Sequence, residues 1–512
     1  MTLGKLEKYL EENEVDIQSA RCSLFVADFY FDAYVDSKIM GDNVISPIFF
    51  FVKTFESKLP FYQMVPKKVL VDYMKNVYSE YLKEPAGFEK KIREMSQLTA
   101  EADEIWRNYQ KRKNDLPKEE LLGIFDKIVS VSKKWCAYAA LGEDKGQIIN
   151  EKITGFLVKK YKMAEARAQE IVGALTHPEE TSVFNQERKD FLKICLEVLK
   201  GDFAGGNVNK FLENEKSRKM ANQYLANYFW IKTDFYKAEK ITPESLWEET
   251  IEQIKNKKES DIREELENIE VVQLKIKKEK EKILTGLNFS KEEKEYLKFA
   301  QIMTAWQDLR KVEMMKHFFY IFSFLEDAAR KIGTSYDVLV ACPVEKLREI
   351  LKGKKIPPEK SEKFFMIAEK ENIMKIIEGE KAEGLLKKVL NLEMERLGAE
   401  LKGMVANRGK TGKIRGIAKI IIDPDRQEFK KGEILVTSMT RVEFVPIMRR
   451  AKAIITDEGG IAAHAAIISR ELGIPCIVGT KIATKVMKDR DEVEMDMGKG
   501  IVKIIDKNKR QY

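Results

Sequence analysis

The pattern of the chain changes at Gly398. Before it, Leu, Lys, Glu, Ile and Met dominate, and apolar residues recur every three or four positions, the helical period. After it, short β-branched runs alternate with glycine turns, as in a small mixed sheet. A chain of 512 residues therefore divides in two: a large, mostly α-helical region over 1–397 and a compact α/β domain over 398–512. The expected class is multidomain, α plus α/β, with room for two subdomains in the helical part.

Within the helical region, Leu121, Leu122, Ile124, Phe125, Ile128, Val129 and Val131 lead to Trp135 at helical spacing. Ser290-Lys291-Glu292-Glu293 is a capping box that opens a helix through Trp306. Residues 247–285 are the most charged stretch. Their stripe of Ile251, Ile254, Ile262, Leu266 and Ile269 has irregular heptads, which predicts a long antiparallel helix pair rather than a dimerising coiled coil. Aromatic runs at 224–236 and 317–325 fit a bundle core or a ligand pocket between helices.

Charge excludes some roles. The net +8 is the small difference between 91 basic and 83 acidic residues of mixed order, and no basic run is interleaved with aromatics. That reads as a solvated surface, with no nucleic-acid partner. Ile45 to Val52, the most apolar early run, is too short to span a bilayer, and the first residues lack a signal-peptide pattern. Cys22, Cys136, Cys195, Cys342 and Cys476 stand far apart, an odd number with no CxxC, which suits buried thiols in a reducing compartment. A cytoplasmic location without membrane contact follows as the expectation. No HExxH or His/Cys cluster offers a metal site.

Beyond Gly398, strands are expected over 414–422, 434–437, 453–456, 476–479, 493–497 and 501–505. Helices are expected over 442–450, 464–472 and near 482–487. One loop stands out: Thr456-Asp457-Glu458-Gly459-Gly460-Ile461-Ala462-Ala463-His464-Ala465-Ala466. It places one of the chain's three histidines at a helix start, just after a double-glycine turn. Imidazole titrates near neutrality and serves as nucleophile or proton carrier. A helix start offers unpaired N–H groups and the positive end of the dipole, which suit a phosphoryl group. Gly459 and Gly460 let the backbone approach a phosphate. Thr456 can hydrogen-bond the ring, Ala465 anchors the helix, and Arg470 can offset phosphate charge or pair with a surface acid.

This string, continued through Arg470-Glu471-Leu472-Gly473-Ile474-Pro475, resembles the mobile phosphohistidine domain of phosphoenolpyruvate-utilising enzymes. That group includes phosphoenolpyruvate synthase, pyruvate phosphate dikinase and rifampin phosphotransferase. The likeness covers about 398–506; 306–351 looks more loosely like the helical region that precedes the domain in some members. The resemblance implies a swivelling β/β/α domain that carries a phosphoryl group on His464 between a donor and an acceptor site. Two departures stand out: Ala462-Ala463 where a hydroxyl or thiol often precedes the histidine, and Val442 where proline is common.

In these families ATP enters through an ATP-grasp domain and pyruvate through a barrel after the histidine domain. Residues 1–397 lack the glycine-punctuated strand pattern of an ATP-grasp fold, and the sequence stops short of a barrel. Gly409-Lys410-Thr411 mimics a Walker A motif, but Gly403 is one residue out of register. The expectation is a phosphotransferase component with no cofactor of its own. ATP and Mg would reside on an ATP-grasp partner, and a small molecule would be the acceptor. The alternative is a non-catalytic binding protein that keeps the histidine domain for docking. His177 and His317 are expected to be structural.

Overall fold

The computed structural model describes residues 3–20, 25–26, 48–53, 61–141, 147–176, 182–201, 208–255, 257–354, 363–369, 373–397, 400–409, 412–422, 424, 427–440, 444–460 and 463–506. Cys22, His177 and Val442 lie outside them.

A helix of 42 residues, Lys291–Ile332, is the axis of the N-terminal body. Ser290 Oγ accepts from Glu293 N, and the Glu293 carboxylate accepts from Ser290 N, so the expected capping box forms. The helix runs well past Trp306 and ends at Gly333, where φ of +77° suits a residue without Cβ. From Phe318 to Leu325 every residue is buried. A helix apolar on all sides must be enclosed. Pro85–Arg112 and Leu121–Leu141 enclose part of it. The two aromatic runs meet in this core: the Phe229 ring lies 4.8 Å from Phe319 and 5.8 Å from Tyr320. In the charged stretch, Glu259–Gly286 packs chiefly against Val183–Lys200 rather than against Pro243–Ile254. The expected pairing within 247–285 is therefore corrected: both helices use Val183–Lys200 as their floor.

The body is not all helix. Strands β1 (Val15–Ala20), β2 (Ile48–Lys53), β3 (Phe61–Pro66), β4 (Lys363–Glu369) and β5 (Ile373–Glu378) form an antiparallel sheet in the order β1-β3-β2-β4-β5. Alternate residues of β2 face opposite ways, as the pleat requires. Phe49 and Phe51 join Met64, Phe365 and Ile367 under the helices Leu3–Glu12 and Glu380–Leu397. Ile48 and Phe50 join the helical core on the other face. The apolar run that is too short for a membrane span is thus a central strand buried on both faces. Among the described residues no helix is long and apolar enough to cross a membrane.

Among the described residues the C-terminal domain has eight strands: β6 (Glu400–Lys402), β7 (Met404–Asn407), β8 (Lys413–Ile420), β9 (Ile434–Thr437), β10 (Ala453–Thr456), β11 (Cys476–Val478), β12 (Glu492–Asp496) and β13 (Ile501–Asp506). Their order is β6-β13-β12-β8-β9-β10-β11-β7, with β8 to β11 parallel and the flanks antiparallel. The parallel strands are covered on both faces, which explains their continuous apolar sequences. Ile434, Val436, Ala453 and Ile455 face one core. Leu435 and Ile454 face the other, beneath Val445–Met448 and His464–Leu472. Gly409 turns the chain between β7 and β8 at φ of +64°. Lys410 and Thr411 of the Walker-like triplet lie outside the described residues, and the next element is the strand β8 rather than a helix.

Candidate functional site

The site lies beyond the carboxyl ends of two adjacent parallel strands, where open α/β sheets bind ligands. Thr437 closes β9 and Thr456 closes β10, and the two are partners in register. Asp457 N donates to Thr437 O at 3.0 Å and Glu458 N to Ser438 O at 2.8 Å, which stitches the two exit loops together. The Asp457 carboxylate, buried beneath them, accepts from Thr484 N at 2.9 Å and from the Thr484 hydroxyl. Burial raises its pKa above the usual carboxylate range.

Gly459 takes φ of +104°, and a Cβ there would stand 2.7 Å from that of Ala463. Both facts require glycine at this bend. Gly460 O accepts from Ala463 N at 3.0 Å and closes the turn. The helix His464–Leu472 follows. Its N-cap, Ala463, has no side-chain oxygen and makes no capping bond. The N-cap therefore offers the first-turn N–H groups no side-chain acceptor. Buried Ala465 and Ala466 seat the helix on the sheet.

Thr440 Oγ1 lies 2.8 Å from His464 Nδ1. Thr456 does not reach the ring: it is fully buried, and its hydroxyl donates to Glu458 O at 2.6 Å. Thr456 shapes the turn, while Thr440, which sequence reasoning missed, orients the imidazole. The signal was the pairing of two threonine-ended strands whose loops must then lie side by side. Arg470 is likewise turned to a structural task. Its Nε donates to Ala406 O at 2.9 Å, binding the histidine helix to β7.

His464 is largely buried, and burial and the charge of Lys311 hold its pKa well below the ordinary value, at about 3. Lys311 belongs to the helix Lys291–Ile332 of the body. The imidazole is neutral throughout the physiological range. In the tautomer that donates Nδ1–H to the Thr440 hydroxyl, the nucleophilic lone pair is on Nε2.

His317 is placed quite differently. Its Nδ1 is 2.8 Å from Ser132 Oγ, its Nε2 is 3.2 Å from Thr99 Oγ1, and its ring lies 4.7 Å from that of Trp135, tilted 31° to it. Glu313 joins this buried set by accepting from Ser96, Thr99 and Trp135 at 2.6, 2.9 and 2.9 Å. The network ties three helices together deep in the body. Among the described residues no group of three or more His, Cys, Asp or Glu is placed to hold a metal ion.

Residues 429–500 match the family model of the PEP-utilising enzyme mobile domain, and this part of the chain carries such a domain. The chain is 58% identical over 90 residues to a probable phosphoenolpyruvate synthase of Staphylothermus marinus, covering 17% of this chain and 11% of that protein. It is 52% identical over 103 residues to one from Archaeoglobus fulgidus, covering 20% and 13%. It is 46% identical over 127 residues to the phosphoenolpyruvate synthase of Pyrococcus furiosus, covering 23% and 15%. The chain thus spans a small part of these relatives' length. The holo form of aconitase X from Thermococcus kodakaraensis aligns with 21% of this chain and 100% of that chain at 22% identity. Its TM-score of 0.17 is too low to carry an argument.

Proposed function

We propose that this chain is the carrier component of a cytoplasmic phosphotransferase. Nε2 of His464 takes a phosphoryl group from a donor site on a partner protein of the ATP-grasp type, which binds ATP and Mg²⁺. It then yields the group to a small-molecule acceptor held against the helical body. The observation that carries this reading is the Thr440–His464 contact at an uncapped helix start inside a matched mobile domain. One ring nitrogen is fixed by a hydroxyl, the other is free to attack, and open N–H groups with the positive helix end await the incoming charge. Such a transfer relies on positioning and charge stabilisation rather than on elaborate covalent chemistry. The donor is assigned to a partner because the sequence of the body lacks an ATP-grasp pattern.

Incubating the chain with a matched ATP-grasp protein and γ-labelled ATP tests this. Acid-labile label is expected on the wild type and none on His464→Ala. Equal label on both proteins, or none on either, would leave the domain as a docking module.

A further inference from the structure

Asp457 stands at the base of a closed circuit of contacts. One arm leaves the carboxyl end of β9 and runs from Thr437 to Thr440. The other leaves β10 and runs from Asp457 through the glycine turn to His464. The arms meet at their tips, where Thr440 Oγ1 lies 2.8 Å from His464 Nδ1. They are joined at their base, where Asp457 N donates to Thr437 O at 3.0 Å and Glu458 N to Ser438 O at 2.8 Å. The contact at the tips therefore depends on how the base is held.

A third loop, beyond β11, holds it. Thr480 donates to Thr456 O through its N–H and its hydroxyl, each at 2.9 Å. Lys481 N donates to Asp457 O at 2.7 Å. Thr484 gives its N–H, at 2.9 Å, and its hydroxyl to the Asp457 carboxylate. Gly479 comes so close that a Cβ there would stand 2.9 Å from Gly459 O. Lys481 is held at φ of +71°, a left-handed conformation that a residue with a Cβ keeps only where its surroundings fix it. Asp457 is 2% exposed, and the bonds from Thr484 offset the cost of burying its carboxylate. A satisfied buried network of this kind rigidifies what it joins. Lys481 Nζ also reaches the body, 3.4 Å from Glu14. Lys402–Glu165 and Arg449–Glu265, each at 3.7 Å, are further ion pairs at the rim where the domain docks on the body.

We propose that Asp457 is a positioning residue: held by Thr484 and Lys481, it sets the histidine arm against the Thr440 arm and keeps the His464 ring in the orientation that leaves Nε2 free to accept the phosphoryl group. The proposal rests on the reading of His464 as the carrier. Asp457 acts through the two arms and not on the phosphoryl group itself. Without its carboxylate the third loop loses its hold on the base, the Thr440–His464 contact loosens, and the ring turns and exchanges tautomers. Misplacing a nucleophile in this way costs about tenfold or more in rate.

Phosphoramidate, a small phosphoryl donor that needs no partner protein, provides the test on the full chain. Nε2 attacks its phosphorus, a new N–P bond forms as the donor's own N–P bond breaks, and ammonia leaves. Asp457→Ala should lower the limiting rate of His464 labelling about tenfold, with little change in the half-saturating phosphoramidate concentration. Thr484→Val, which keeps the shape and removes the hydroxyl, should lower it about threefold, and Thr484→Ser should keep it near the wild-type rate. Asp491→Ala removes another buried carboxylate of the same domain, one that accepts from Lys488 N at 2.8 Å, and should leave the rate unchanged. Imidazole nitrogen NMR shifts, assigned by their loss in His464→Ala, read the ring directly: the Nδ1–H form in the wild type and mixed tautomers in Asp457→Ala. An unchanged rate or an unchanged tautomer in Asp457→Ala overturns the inference, as does equal slowing by Asp491→Ala. If the wild type takes no label, the carrier reading falls instead, and the tautomer in Asp457→Ala still decides whether Asp457 sets the ring.

Discussion

The two described histidines, His317 and His464, are held in different ways. His317 is sealed in the body, with both ring nitrogens engaged by hydroxyls and a tryptophan on its face. His464 has one ring nitrogen engaged by Thr440, and its Nε2 has no hydrogen bond among the described residues. Both rings are held neutral, at about 3, chiefly by burial. A depressed pKa therefore does not separate a structural histidine from a reactive one. The difference is whether a nitrogen is left free where a ligand can arrive.

The sharpest way to break this contrast is to remove Glu313. Glu313→Ala leaves two buried donors and a part-buried one without their acceptor and is expected to cost about 3 kcal/mol of body stability. Urea unfolding measures it, and a loss under about 1 kcal/mol would deny the network its structural role. Next is Gly459→Ala, whose left-handed φ and close approach to Ala463 predict a cost of about 2 kcal/mol. That cost is confined to the C-terminal domain, and labelling of His464 should fall with it. An unaffected labelling rate would show that the turn does not position the ring.

Thr440→Val is expected to cost stability only about 1 kcal/mol. It should nevertheless slow labelling of His464 about tenfold, because the ring loses its fixed tautomer. Thr456→Val should show the reverse, a stability loss with no direct effect on the ring. The pH dependence has a definite sign. His317 has a folded pKa below its ordinary value of about 6.5. Its stability contribution is fully present above that value and is lost as pH falls from about 6.5 toward about 3. His317→Gln should flatten this acid limb of the unfolding curve. The smallest effect is expected at the rim: Lys402→Ala should change docking by no more than about 0.5 kcal/mol and only at low salt.

The C-terminal domain was legible because its strands are short, buried on both faces and closed by glycine turns. Ile434–Thr437, Ala453–Thr456 and the helix His464–Leu472 fall where the sequence places them. β6 and β7 did not, because Glu400–Lys402 is only three residues long and Met404–Asn407 sits between glycines that suggest a linker. In the body, helical periodicity found Leu121–Leu141 and the start of Lys291–Ile332. It hid the five-stranded sheet, whose first three strands lie before residue 67 and whose last two lie after residue 362. Pairing across such a separation leaves no local signal, and a strand like Ile48–Lys53, apolar on both faces, does not alternate. The same reason explains Thr440: it is 24 residues from His464, and only the pairing of β9 with β10 brings them together.

Intact-mass and peptide analysis of the protein isolated from its own cells tests the central claim most directly. The account predicts a fraction carrying one phosphoryl group, lost in mild acid, mapped to His464 and absent from His464→Ala. A phosphoryl group mapped to another residue, or none in cells where the ATP-grasp partner is active, would contradict it.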